Sequence, residues 1–299
     1  MPIAKVGDIN LYYEVHGKGE PLVLIMGYGL RGGQWAELRD KLAGEYRVIV
    51  PDNRGTGRSD KPEKPYTTRM MAADVAGLLD VLGIGATNVF GYSMGGTIAQ
   101  EFALNYPGRL TNLILGATIC GGTRAVPATT EAVKFILSPG RTELRHIFIH
   151  PLYLLALKFI LSAGRTELSV EDRARDVIPW LWDKEFVENN NAAIERFIAT
   201  CCEYPTPLQA YISQQNTMLT HNTYSRLPDI KAPTLVIAGT EDRIVPHENS
   251  KLLASRITGA ELVMINGAGH GVFISDPTEE VSQTVLDFLR RHSKAPANN

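Results

Sequence analysis

Phe90-Gly91-Tyr92-Ser93-Met94-Gly95-Gly96 is the stretch of the sequence that decides the fold. It follows an apolar run at residues 87–90 and precedes residues 97–104, whose apolar positions recur at helical spacing. The pattern predicts a strand, a tight turn and a helix. A serine at the tip of such a turn must take a strained backbone conformation, and the flanking glycines allow neighbouring chain to approach closely.

The turn predicted around Ser93 suits a nucleophile. Its strain lifts the Ser93 hydroxyl clear of the sheet and places the Met94 amide at a helix N-terminus. Backbone donors and the positive end of the helix dipole would there face a developing oxyanion. The alternative is a glycine-flanked serine in an ordinary turn, and the strand and helix on either side favour the nucleophile. On these residues the chain resembles the α/β-hydrolases.

This resemblance implies a doubly wound, mostly parallel eight-stranded α/β sheet with an inserted helical cap. Residues 21–26 are continuously apolar, as in a parallel strand buried on both faces, and similar runs alternate with helical stretches along the chain. Before them, residues 9–16 alternate roughly in polarity and end in a glycine-containing segment at 17–20, which predicts an edge hairpin. The other predicted elements are helices over 34–42, 70–82 and 279–291 and strands over 46–51, 110–116, 233–239 and 260–265.

The strand pattern disappears between residues 121 and 226. An insertion of this length is not a structureless loop, and the resemblance implies a helical cap over the nucleophile. We therefore predict a core domain of residues 1–120 and 227–299 and a cap of residues 121–226. Each aromatic side chain of the cap is best explained by packing within the cap itself. Residues 134–144 return almost unchanged at 158–168, a local duplication to which we assign no function.

A candidate acid follows the strand predicted at residues 233–239. Asp242 would lie at the sheet edge that carries the Ser93 turn, where open α/β sheets bind ligands. Glu241 is its adjacent rival, and the Gly-x-x-Asp spacing of the α/β-hydrolases favours Asp242.

A candidate base follows the last predicted strand. His270 lies in a glycine-framed loop, and His247 is the other histidine near this edge. The chain order Ser93, Asp242, His270 matches the nucleophile, acid and base order of α/β-hydrolases. The resemblance therefore implies a catalytic triad of these three residues.

The loop after residues 21–26 is the candidate second half of an oxyanion hole. In α/β-hydrolases the donor follows a His-Gly pair, and here the pair is Met26-Gly27, so the resemblance assigns the Tyr28 amide beside that of Met94. The histidine is missing, and a plain glycine-rich turn is the alternative. Residues 52–60 resemble the family's Asp-x-Arg-Gly-x-Gly-x-Ser loop, which we interpret as structural and not as a phosphate-binding loop.

Composition restricts the partners. The 299-residue chain is 44% hydrophobic and 21% charged, carries a net charge of −2, and has no basic cluster, which argues against nucleic acid and anionic membrane surfaces. Three cysteines without a disulfide framework and an N-terminus without a secretory signal predict a cytoplasmic protein. The longest apolar run, residues 151–161, is too short to span a membrane. The sequence shows no metal-ligand pair and no dinucleotide fingerprint, so no cofactor is predicted.

The predicted function is a serine hydrolase that cleaves carboxylic esters of small to medium apolar acyl groups through an acyl-enzyme. Its partner would be a small-molecule ester or lactone. The resemblance also covers enol-lactone hydrolases, carbon–carbon bond hydrolases and cofactor-free perhydrolases. A non-enzyme alternative is a slow-turnover ligand receptor of the same fold. The oligomeric state, monomer or homodimer, stays open.

Overall fold

The computed structural model describes residues 2–127 and 169–293 of the chain. The duplicated segments at 134–144 and 158–168 and the apolar run at 151–161 lie outside these residues.

Eight strands form one sheet in the order β1-β2-β4-β3-β5-β6-β7-β8. The pairings of β2 with β1 and with β4 are antiparallel, and all other neighbours are parallel. The predicted mostly parallel eight-stranded sheet is therefore confirmed. The strands are β1 (Ile3–Val6), β2 (Ile9–His16), β3 (Pro21–Ile25), β4 (Arg47–Pro51), β5 (Thr87–Tyr92), β6 (Leu110–Gly116), β7 (Thr234–Gly239) and β8 (Glu261–Ile265).

Helices cover both faces of the sheet. Within the described residues they are α1 (Ala36–Leu42), α2 (Thr68–Val81), α3 (Met94–Asn105), α4 (Val170–Leu181), α5 (Lys184–Asn189), α6 (Asn191–Glu203), α7 (Leu208–Thr220), α8 (Glu248–Arg256) and α9 (Glu280–His292). The predicted helix at 70–82 starts two residues early because the Thr67 hydroxyl accepts a hydrogen bond from the Met70 amide at 3.1 Å and caps the first turn.

The side chains of β3 alternate between two hydrophobic clusters. Leu24 packs in a cluster with Phe288 of α9, and Ile25 packs in a second cluster with Phe102 of α3. All four side chains are fully buried. A strand with helices on both faces has no solvent-facing side, which explains the continuous apolar run of its sequence.

The predicted hairpin is wrong in its closing turn. The strand β2 does form a hairpin, but with β1, through the turn at Gly7 and Asp8. The segment at residues 17–20 leads instead into β3, and β4 lies between β2 and β3 in the sheet. At this end of the sheet the edge strand is therefore β1, and β2 is the second strand.

Four helices, α4 to α7, fill the described part of the insertion between β6 and β7. An isolated antiparallel bridge between Gly121 and Asn222 closes the insertion at its base. Aromatic side chains pack within it: the Trp182 ring lies 5.3 Å from that of Phe186 and 5.4 Å from that of Phe197. The bridge supports the boundaries 121–226, which we retain as a proposal.

No helix within residues 2–127 and 169–293 has the length and apolar character needed to cross a membrane.

A buried histidine fastens the end of α7 to the core. His221 Nδ1 lies 3.2 Å from the Thr68 hydroxyl of α2, and its Nε2 lies 3.4 Å from the Thr223 hydroxyl. Burial lowers the pKa of His221 from 6.5 to about 4, although the nearby Glu101 acts in the opposite direction.

We predict that this imidazole makes the fold acid-sensitive. The unfolded chain binds a proton to His221 below pH 6.5 and the folded chain does not, so stability is complete above that pH and falls below it. The free energy of unfolding of the wild type should drop by about 2–3 kcal/mol between pH 7 and 4.5 relative to His221→Gln. Urea denaturation at several pH values measures this, and parallel pH profiles for the two proteins would contradict it.

Candidate active site

Ser93 stands in a strained turn between β5 and α3. Its backbone angles are φ 56° and ψ −120°, a region that costs a non-glycine residue about 1–3 kcal/mol. Two hydrogen bonds hold it there: the Ser93 amide donates to the Gly116 carbonyl at 2.9 Å, and the Thr118 hydroxyl donates to the Ser93 carbonyl at 2.7 Å. The strain predicted from the sequence is present in the structure.

Close backbone contacts explain the flanking glycines. A Cβ on Gly91 would lie 2.3 Å from the Gly95 carbonyl oxygen, and one on Gly95 would lie 2.0 Å from the Ile25 carbonyl oxygen. No side chain fits at either position. The turn is thus packed directly against the end of β3, which brings the loop after β3 next to Ser93.

The structure brings the three predicted triad residues together. His270 Nε2 lies 3.1 Å from Ser93 Oγ, and His270 Nδ1 lies 2.6 Å from Asp242 Oδ2. The other carboxylate oxygen of Asp242 accepts hydrogen bonds from the amides of Ile244 and Val245, both at 2.8 Å. These two amides fix the carboxylate, so its second oxygen faces the imidazole.

The two rival residues lie elsewhere. Glu241 is exposed, whereas Asp242 and His270 are both buried. His247 is partly buried, and its ring nitrogens face the Thr240 carbonyl at 3.1 Å and the Glu248 carboxylate at 3.0 Å. Neither rival joins the chain of contacts to Ser93.

Tyr92 supports His270, a role that the sequence pattern does not indicate. The Tyr92 hydroxyl donates to the His270 carbonyl at 3.0 Å, and the two rings lie 4.9 Å apart. Complete burial raises the pKa of Tyr92 well above its ordinary value, so the phenol keeps the proton that it donates. The residue lies inside the glycine-serine motif, but its spacing alone gave no sign of this contact.

The candidate oxyanion donors approach Ser93 from two elements. Met94 is the first residue of α3, and amides of a first helical turn have no partner within the helix. Tyr28 follows Gly27, where a Cβ would lie only 3.2 Å from that of Ser93. Met94 thus follows the serine in the chain, and Tyr28 follows a glycine that lies beside it.

Other contacts replace the missing histidine of this loop. The Asn53 side chain donates to the Met26 carbonyl at 2.9 Å, and the Thr206 hydroxyl donates to the Gly29 carbonyl at 2.9 Å. The Tyr28 hydroxyl donates to the Tyr211 carbonyl at 3.0 Å. The loop is therefore held from the core and from the insertion, by residues that the sequence pattern did not single out.

The loop at residues 52–60 also contacts the segment that follows β3. The two oxygens of Asp52 accept from the amides of Gly32 at 2.7 Å and Arg58 at 2.9 Å. The Arg54 guanidinium forms two hydrogen bonds with the Asp74 carboxylate, at 2.5 and 2.6 Å. Asp52 therefore closes the loop, while Arg54 connects it to α2, in agreement with the structural interpretation of residues 52–60.

Helix α4 contacts the loops that carry the acid and the base. A Cβ on Gly269 would lie 2.7 Å from the Leu181 carbonyl oxygen, and one on Gly271 would lie 2.4 Å from the Trp182 ring. Arg243, next to Asp242, donates to the Pro179 carbonyl. The insertion therefore touches the His270 loop directly.

A family model described as the alpha/beta hydrolase family matches residues 15–284. The match covers most of the chain, and the chain belongs to the alpha/beta hydrolase family. The resemblance recognised at the serine motif is confirmed.

Relatives of known name cover nearly the whole chain. RutD of Azorhizobium caulinodans, provisionally named a carbamate hydrolase, is 30% identical over 291 residues, which are 96% of this chain and 98% of the relative. A 2-hydroxy-6-oxononadienedioate/2-hydroxy-6-oxononatrienedioate hydrolase of Burkholderia vietnamiensis is 31% identical, covering 95% of this chain and 92% of that protein. The solved structure of a thermophilic esterase from Thermogutta terrifontis matches with a TM-score of 0.76 and 30% identity, covering 96% and 95%. These relatives support a hydrolase.

We predict that Gly95→Ala destabilises the protein by about 3 kcal/mol or more, because its methyl group would meet the backbone of β3 and neither can move freely. Gly85→Ala is the matched control, since a Cβ on Gly85 would have no neighbour within 4 Å. Thermal and urea denaturation of the two variants measure the difference. Equal stability of the two would contradict the close packing of the turn.

Proposed function

We propose that the protein hydrolyses carboxylic esters of small to medium apolar acyl groups through an acyl-enzyme on Ser93. The supporting observation is the continuous chain of contacts from Ser93 Oγ through His270 to Asp242, at 3.1 and 2.6 Å. This chain starts at a helix N-terminus, where a negative charge on the substrate oxygen is stabilised.

In the first step, His270 Nδ1–H donates to Asp242, which leaves Nε2 as the acceptor for the Ser93 proton. Ser93 Oγ then attacks the acyl carbon and forms a tetrahedral intermediate. The amides of Met94 and Tyr28 bind its oxyanion. The imidazolium next gives its proton to the leaving alcohol, which departs and leaves the acyl group on Ser93.

In the second step, a water molecule gives its proton to His270 and attacks the acyl carbon. The same two amides bind the second oxyanion. Collapse of this intermediate returns the proton to Ser93 and releases the carboxylic acid, so the enzyme is regenerated and the water is consumed.

Likeness to the thermophilic esterase, at 30% identity over nearly the full chain, supports the ester as the substrate class. Aromatic rings of the insertion support an apolar acyl group as the substrate. The Trp182 ring lies against Gly271 in the loop of the candidate base, and the Tyr211 ring lies against Gly29 in the loop of the candidate oxyanion donor. The alternative substrate class is a carbamate, which the likeness to RutD supports, since a carbamate offers the same kind of acyl carbon to a serine. Comparing the rates of a matched ester and carbamate distinguishes the two substrate classes.

We predict that Asp242→Asn lowers kcat by about 10⁴-fold with little change in KM, because the imidazole loses the anion that orients it and stabilises its protonated form. Glu241→Gln is the matched control and should retain wild-type kcat, since Glu241 is exposed and lies outside the chain of contacts. Steady-state hydrolysis of an aryl ester measures both. An inactive Glu241→Gln beside an active Asp242→Asn would reassign the acid.

We also predict that kcat/KM for p-nitrophenyl esters rises with acyl length before it falls. Burying one further CH₂ against an apolar wall contributes at most about 0.8 kcal/mol, a threefold to fourfold gain. The series from acetate to decanoate measures this, and a maximum at acetate with steady decline would contradict the apolar site.

The substrate class is tested by a matched pair with one leaving group. p-Nitrophenyl isobutyrate and p-nitrophenyl N,N-dimethylcarbamate have the same heavy-atom connectivity and differ in the atom bonded to the acyl carbon, which is a tetrahedral CH in the ester and a planar nitrogen in the carbamate. We expect the ester to be hydrolysed faster by the enzyme, after correction for the spontaneous rates. A faster enzymatic reaction with the carbamate would replace the ester proposal by a carbamate hydrolase.

A further inference from the structure

One buried amide of the insertion binds two loops of the core. Gln214 of α7 is fully buried. Its Oε1 accepts from the Gly29 amide at 2.9 Å, and its Nε2 donates to the Arg54 carbonyl at 2.9 Å. Both ends of the side chain are therefore bonded to backbone, which fixes its orientation without ambiguity.

The first of these bonds lies one residue from a candidate oxyanion donor. Gly29 has a φ of +68°, and a Cβ there would lie 2.0 Å from the Tyr211 ring, so only glycine fits beneath α7. Because its amide is bonded to Gln214, the peptide plane between Tyr28 and Gly29 cannot rotate freely. The same bond turns the Gly29 amide toward the insertion, so that amide is already used and does not serve the oxyanion.

The second bond connects Gln214 to a rigid part of the core. Arg54 is buried, and its guanidinium is held by two hydrogen bonds to Asp74 of α2. A Cβ on the next residue, Gly55, would lie 3.3 Å from that of Ala210, so α7 packs closely on this loop as well. Gln214 thus sets the Tyr28–Gly29 segment at a fixed distance from a loop that is itself anchored.

We propose that Gln214, on helix α7 of the insertion, is a positioning residue for the oxyanion hole. This role rests on the proposed function. Gln214 fixes the Tyr28–Gly29 peptide plane, and through the Tyr28 Cα it restricts the adjoining Gly27–Tyr28 plane, whose N–H is the proposed oxyanion donor. Since the oxyanion exists only in the transition state and the tetrahedral intermediate, the effect appears in kcat and not in substrate binding.

The experiment compares Gln214→Met with Asn216→Leu. Methionine has a similar length and makes neither hydrogen bond. Asn216 lies on the same helix and donates to the Tyr66 carbonyl at 2.7 Å, so its variant also loses a contact between α7 and the core but leaves Gly29 untouched. We expect Gln214→Met to lower kcat about 10- to 100-fold with KM within about twofold, since loss of a whole oxyanion donor costs about 10²–10³. Asn216→Leu should stay within about twofold of wild type in both.

A trifluoromethyl ketone provides a second readout, because it adds to the serine and presents an oxyanion. Its affinity for Gln214→Met should fall by the same factor as kcat, while that for Asn216→Leu should not change. Loss of kcat without loss of ketone affinity would overturn the proposal. So would a kcat for Gln214→Met within twofold of wild type, or equal losses in the two variants.

Gln214→Glu decides the question if the methionine variant does not fold. The protonated carboxyl can accept from Gly29 and donate to the Arg54 carbonyl, whereas the ionised carboxylate can only accept. Because burial raises the pKa of a carboxyl group, the ratio of its kcat to that of wild type should rise as the pH falls through that pKa. A constant ratio across a pH range in which the introduced carboxyl is seen to titrate would overturn the proposal. Absence of ester turnover in the wild type is a different result, which removes the proposed function and this role with it.

Discussion

The rest of the structure depends on the close approach of the Ser93 turn to the end of β3. Gly95 lies so near the Ile25 carbonyl that no side chain fits between them. This contact acts together with the hydrogen bonds of Ser93 to Gly116 and Thr118, which hold the serine at a φ of 56°. The same contact places Gly27 beside the serine. One packing constraint therefore strains the nucleophile, exposes a helix N-terminus to it, and brings the loop of the second oxyanion donor alongside.

The insertion reaches this arrangement from two sides. Trp182, just after α4, packs on Gly271 beside the candidate base, and Gln214 of α7 bonds to Gly29 beside the candidate oxyanion donor. Both loops carry a glycine at the contact because a Cβ would lie 2.4 Å from the Trp182 ring at Gly271 and 2.0 Å from the Tyr211 ring at Gly29. The insertion is therefore a structural support for the loops of the site, and changes in its packing should reach both loops.

Much of this could be predicted from the sequence, because the decisive signals are local. A glycine-serine motif between a strand and a helix, and continuous apolar runs in a parallel sheet, each reflect neighbours in the chain. The prediction of the turn that closes the first hairpin was wrong because strand order depends on contacts between distant residues. The roles of Asn53, Thr206 and Gln214 could not be predicted for the same reason. Each of them bonds to a loop that is distant in the sequence, and no local pattern marks such a contact.

The central claim is that Ser93 carries the acyl group during turnover. The most direct measurement is mass spectrometry of the protein quenched in acid during hydrolysis of p-nitrophenyl butyrate, followed by proteolysis. The account predicts a butyryl group on the peptide that contains Ser93, and its disappearance once the substrate is exhausted. A butyryl group on another residue, or full hydrolytic activity in Ser93→Ala with no acylated peptide, would contradict it.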